Sequence, residues 1–173
     1  MIIDVNQKVE ELASRTHESC DICEHFPLIE KYGKQSEHIT EMGIRSIVST
    51  WGWVAAKPKT FICYDKDRPT HIQDVYDTAE SLGIAFAFHE ANTTAIEIEE
   101  TDLLFIDTDH NYEQMQKELE LHGNKARKFL VFHDTAWAHD MNRAIKEFME
   151  ANPHWVDEEE VTNNNGFKII KRI

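Results

Sequence analysis

Basic residues are scarce in this chain. Lys and Arg number 18 against 32 Asp and Glu, a formal net charge of -14. That balance disfavours a nucleic-acid backbone as partner, because such binding rests on neutralised phosphates. A small molecule or a protein is the expected partner. No apolar run approaches the roughly 20 residues that span a bilayer, so no membrane helix is expected. The start, Met1-Ile2-Ile3-Asp4, has no basic region followed by an apolar stretch, and reads as no signal peptide. Cysteines number three. That odd count suits free thiols in a reducing cytoplasm better than a disulfide scaffold. Repeats, linkers and low-complexity tracts are missing too.

What is present argues for a folded protein. Hydrophobic residues make up 41% of the chain and tryptophans number four, a composition unlike that of disordered segments. A length of 173 residues suits one domain with a single core. Residues 1–37 read as a helical cover and residues 38–173 as the core of that domain.

The stretch Thr101–Thr135 organises the rest. Leu103–Ile106 and Phe129–Phe132 are short apolar runs that end abruptly in Asp107-Thr108-Asp109-His110 and His133-Asp134-Thr135. Continuous apolar runs of this length fit strands buried on both faces of a parallel sheet. Such a sheet presents ligand groups at the carboxyl ends of its strands. Asp107, His110, His133 and Asp134 are therefore expected on one rim.

Around this stretch, strands and helices alternate. Strands are expected at His38–Gly43, Thr60–Tyr64 and Ile84–Phe88. Helices are expected at Asn6–Arg15, Phe26–Tyr32, Ser46–Ala56, from Ile72 to Gly83, at Asn111–Leu121, and over the stripe Met141, Ala144, Ile145, Phe148, Met149. Thr70-His71-Ile72-Gln73 has the spacing of a capping box, and Asp21 with Glu24 resembles one. Cys20 and Cys23, flanked by His17 and His25, also have a zinc-like look. The helix start is the favoured reading, since structural zinc usually draws on two separated ligand pairs. Asn163-Asn164-Asn165-Gly166 between two extended segments signals a closing hairpin. The whole is an α/β chain: a doubly wound, mostly parallel, seven-stranded Rossmann-like sheet with a C-terminal antiparallel hairpin. Trp51, Trp53 and Trp137 read as core or interface groups ahead of substrate walls.

From His38 to the end, this order of elements resembles the class I S-adenosylmethionine-dependent methyltransferases. Within them it looks most like the metal-dependent small-molecule O-methyltransferases and the cephalosporin-hydroxylase-like proteins. Glu41-Met42-Gly43-Ile44-Arg45-Ser46-Ile47-Val48-Ser49 lies where those enzymes carry E-x-G-x-x-x-G-x-S. Ile47 replaces the second glycine. Its branched side chain predicts ordinary helical backbone and a partly obstructed cofactor pocket.

The resemblance implies S-adenosylmethionine as cofactor, bound through Glu41, Gly43, Ser49, Asp65, Asn92 and Asp107. The Asp65 carboxylate would take the ribose hydroxyls. Asp107, Asp134 and Thr135 would hold magnesium or manganese, and His110 or His133 would take the proton of an acceptor hydroxyl. Methyl transfer to a hydroxyl of a small molecule is the expected activity. The alternatives are a non-catalytic domain of the same fold that binds a ligand or a protein, and a metal-dependent hydrolase using Asp107, His110 and Asp134.

Overall fold

The computed structural model describes residues 1–15 and 18–173. His17 of the zinc-like cluster lies outside them. The strands are β1 (His38–Met42), β2 (Thr60–Asp65), β3 (Ala85–Glu90), β4 (Thr101–Ile106), β5 (Ala126–His133), β6 (Trp155–Val161) and β7 (Phe167–Arg172). They form one sheet in the order β3-β2-β1-β4-β5-β7-β6. The first five run parallel, and β7 inserts antiparallel between β5 and β6. The helices are α1 (Val5–Ala13), α2 (Phe26–Gly33), α3 (Val48–Ala55), α4 (Ile72–Ser81), α5 (Tyr112–His122) and α6 (His139–Ala151). The expected seven-stranded sheet with its closing hairpin is the observed one. No helix among the described residues is long and apolar enough to cross a membrane.

The strands look continuously apolar because both faces of the sheet are covered. Leu103 and Phe105 of β4 join a core cluster with Ile29, Tyr32, Trp53 and Val75, from α2 to α4. Their neighbours Leu104 and Ile106 point the other way, into a cluster with Met115, Leu119, Met141 and Ile145 of α5 and α6. Successive side chains of a strand alternate faces, so every residue of β4 is buried.

The chain builds outward from β1 to β3, then crosses back to place β4 on the other side of β1. In open α/β sheets a crevice forms at such a reversal, outside the carboxyl ends of the strands. The register aligns those ends: Met42 pairs with Tyr64 and Ile106, and Ile106 with Phe132. Gly43, Asp65, Asp107 and His133 thus emerge side by side.

Several local expectations are corrected. Ile47 is not helical: its φ of 53° and ψ of 30° are left-handed, and α3 begins only at Val48. Thr70 caps nothing. His71, itself left-handed, occupies the capping position of α4 without a side-chain bond, and Ile72 N–H reaches the Pro69 carbonyl instead. The Asp21 carboxylate pairs with Arg45 at 3.2 Å. Cys20 and Cys23 are joined in a disulfide, which overturns the expectation of free thiols there and removes both from any zinc site. Cys63 is a buried free thiol.

Candidate functional site

The site begins where β1 leaves the sheet. Gly43 has φ +82°, and a Cβ added to it would stand 2.0 Å from the Asp107 carbonyl oxygen. Only glycine lets the exits of β1 and β4 approach this closely. The approach is fixed from both sides: Gly43 N–H donates to the Tyr64 carbonyl, and Asp107 N–H to the Met42 carbonyl, each at 2.9 Å. The loop beyond is held by Asp65. Its Oδ2 accepts from the N–H groups of Ile44 (2.7 Å) and Arg45 (3.0 Å), and its Oδ1 from that of Asp67 (3.1 Å). A carboxylate has about four acceptor positions, so Asp65 keeps room for about one more donor.

A cavity of about 300 Å³ opens here, walled by Gly43, Ser49, Asp65, Asp107, His110 and Asp134. Six of the residues expected from sequence thus share one space. Glu41 lies beneath it, fully buried, and accepts from Ser49 Oγ (2.6 Å), Thr50 Oγ1 (2.8 Å) and Cys63 Sγ (3.4 Å). Burial pushes its carboxyl up to about 8, against the pull of those donors. Asn92 stands outside: its Oδ1 accepts from Thr94 N–H at 3.0 Å, while its neighbours Ala91 and Thr93 face the cavity. On that side the wall includes Thr93, Thr108 and Gln114, all of which donate to the buried Glu118. Nothing in the sequence marked this acid, which sits among other charged residues of α5 and finds its donors partly in distant segments.

Ile47 does not obstruct this cavity. Its side chain is 7% exposed and packs in the core cluster with Trp51 and Val54. It bounds instead a separate cavity of about 910 Å³ beside α1. The expected obstruction is therefore corrected: the left-handed turn carries the side chain away.

At the far wall the acids and histidines converge. His110 Nε2 lies 2.6 Å from Asp134 Oδ2 and 3.5 Å from Asp107 Oδ1. His133 Nδ1 lies 3.1 Å from Asp134 Oδ2 and 3.4 Å from Asp107 Oδ1. Asp134 holds a left-handed φ of 62°, which turns its carboxylate back toward β4. His133 is 1% exposed, and its Nε2 donates to the Asp21 carbonyl at 2.8 Å. The same nitrogen is 3.4 Å from the Asn164 carbonyl, which receives His25 Nε2 at 3.0 Å. Thr135 is buried, with its Oγ1 turned toward Gly166 and its carbonyl taken by Asn142 at 2.5 Å. It does not wall the cavity.

The electrostatics of the cluster are self-consistent. The Asp107 and Asp134 carboxylates push His110 up to about 9. Burial pulls His133 down, but the same carboxylates outweigh it and lift the ring to about 10. Burial likewise works against both acids, yet the histidines hold them below the ordinary carboxylate range. The contacts are close but misdirected. His110 Nε2 and His133 Nδ1 are buried, and neither makes a well-aligned hydrogen bond. Asp107, His110 and Asp134 offer ligand atoms all within 4.8 Å of one another. Two hard oxygens and an imidazole nitrogen fit a first-row divalent cation.

No protein-family description matches this chain, and no curated protein is similar to it in sequence. Solved structures are similar in fold. A methyltransferase from Geobacter sulfurreducens superposes with a TM-score of 0.68 at 15% identity, covering 99% of this chain and 89% of that one. The N-methyltransferase NodS from Bradyrhizobium japonicum, in complex with S-adenosyl-L-homocysteine, gives 0.63 at 11% identity over 98% and 99%. The O-methyltransferase TomG from Streptomyces achromogenes, in complex with S-adenosylmethionine, gives 0.62 at 14% over 87% and 80%. The chain has the fold of the class I S-adenosylmethionine-dependent methyltransferases.

Proposed function

We propose that this protein transfers a methyl group from S-adenosylmethionine to a hydroxyl of a small molecule, with a divalent cation on Asp107, Asp134 and His110. One observation carries the reading. A single cavity at the β1/β4 reversal is walled by Gly43 and Asp65 together with the cation-type cluster. The fold alone hosts many functions; this juxtaposition of a nucleoside-type crevice with hard ligands is what narrows them.

Each residue has a task of its own. Asp65 holds the loop after β1 and offers its remaining acceptor position to a ribose hydroxyl. Gly43 lets that loop pass Asp107. Glu41, kept neutral by burial, adds no charge behind the site. His133 spends Nε2–H on the Asp21 carbonyl, so its Nδ1 faces the carboxylates and steadies them. With His133 enclosed, the sequence expectation of a proton acceptor passes from it, and His110 is assigned as ligand. The cofactor would supply the electrophilic methyl group. The cation, manganese being suited to the two carboxylates, would lower the acceptor hydroxyl's pKa.

Calorimetric titration with S-adenosyl-L-homocysteine tests this. Saturable binding is expected, weakened about tenfold or more in Asp65→Ala through loss of a bond to a charged acceptor. No binding by the wild-type protein would refute the proposal.

A further inference from the structure

Trp137 is 53% exposed, on a surface that otherwise leaves few large apolar side chains in solvent. Burial is therefore not what holds it in place. Its indole Nε1–H donates to Asp134 Oδ1 at 2.7 Å. Its ring stands edge-on to His110, with centroids 5.1 Å apart. Asp134 thus has its two oxygens divided: Oδ1 is spent on the indole, and Oδ2 faces His110 and His133. A carboxylate free to rotate would lose that division, because either oxygen could then turn to the imidazoles.

We infer that Trp137 is a positioning residue for the cation site: its N–H fixes the rotation of the Asp134 carboxylate, and its ring edge fixes His110. The inference rests on the cation reading proposed above. Groups that orient a metal ligand through a hydrogen bond commonly set affinity by about 10- to 100-fold when removed. The backbone cooperates, since Ala138 N–H donates to the Asp134 carbonyl at 3.0 Å and ties the Asp134–Ala138 turn that brings the indole back over its own partner.

Two substitutions separate the N–H from the ring. Trp137→Phe keeps an aromatic side chain and removes the donor. Trp137→Gln removes the ring but places an amide N–H the same number of bonds from the backbone. Manganese affinity is read by the electron paramagnetic resonance signal of the free ion, with thermal melting as a control on folding. Trp137→Phe is expected to weaken manganese binding by about tenfold or more, and Trp137→Gln to restore it to within about tenfold of wild type. A smaller loss in Trp137→Phe, or a Trp137→Gln variant as weak as Trp137→Phe, overturns the positioning role while leaving the cation site standing. Absence of manganese binding by the wild-type protein overturns the cation site itself, and this role with it.

Discussion

His133 Nε2–H donates to the main-chain carbonyl of Asp21 at 2.8 Å. Asp21, in the segment leading to α2, and His133 at the end of β5 are 112 positions apart in sequence, yet this bond sets which nitrogen of His133 faces the carboxylates. A carbonyl only accepts, so Nε2 must carry the proton. Nδ1 then faces Asp107 and Asp134, whose charges lift the ring to about 10 and keep a proton on Nδ1 at neutral pH. The segment carrying Asp21 is closed by the Cys20–Cys23 disulfide and anchored by the buried Ile22 and Phe26.

That bridge closes a very short loop, so its contribution to stability is small. Replacing both cysteines, Cys20→Ser with Cys23→Ser, is expected to cost about 2 kcal/mol by the chain-entropy relation. Urea unfolding without reductant measures it. A cost near zero would show that Ile22 and Phe26 alone fix the segment.

Ile47 tests the turn after Gly43. Glycine would relieve roughly 1–2 kcal/mol of left-handed strain, but it would delete a side chain whose removal typically costs about 2–5 kcal/mol. Ile47→Gly is expected to destabilise by about 1–3 kcal/mol, with S-adenosyl-L-homocysteine affinity unchanged. Tighter binding in the variant would revive obstruction by Ile47.

Gly43→Ala meets both penalties at once, a positive φ and a Cβ 2.0 Å from a backbone oxygen. The neighbour cannot rotate away as a side chain would. A loss above about 3 kcal/mol is expected. Near-wild-type melting of this variant would mean the exits of β1 and β4 can separate freely.

Glu41 gives stability a pH dependence with a definite sign. Unfolded, its carboxyl ionises near 4.5; folded, near 8. Between those values the folded chain keeps a proton that the unfolded chain has lost, so stability falls as pH rises. The slope approaches about 1.4 kcal/mol per pH unit within the window and vanishes above it. Glu41→Gln removes this slope, so its stability relative to wild type should rise from pH 5 to pH 8. Parallel curves for the two proteins would contradict a neutral buried Glu41.

Much of the fold was legible because it rests on burial. Leu103–Ile106 and Phe129–Phe132 fitted strands covered on both faces, and their ends located Asp107, His110, His133 and Asp134. Gly43 was placed by the glycine pattern of the resemblance, and its close approach is to the Asp107 backbone. The misses share a cause: main-chain geometry and main-chain partners leave little trace in residue type. Nothing in Ile47 announces a left-handed turn. Thr70 has the right spacing to cap α4, but the Pro69 carbonyl already takes the N–H of Ile72. The carbonyls of Asp21 and Asn164 reach the site from segments whose side chains suggested a helix start and a hairpin. Trp137, three residues after Asp134, was readable as an aromatic but not as a donor.

The central claim is that one cavity holds both the nucleoside and the cation. A crystal grown with manganese and S-adenosyl-L-homocysteine, recorded at the manganese absorption edge, tests it directly. An anomalous peak contacted by Asp107, His110 and Asp134 is expected, with the nucleoside between Gly43 and Asp65 in the same cavity. A peak elsewhere, or a nucleoside bound away from Asp65, would contradict it.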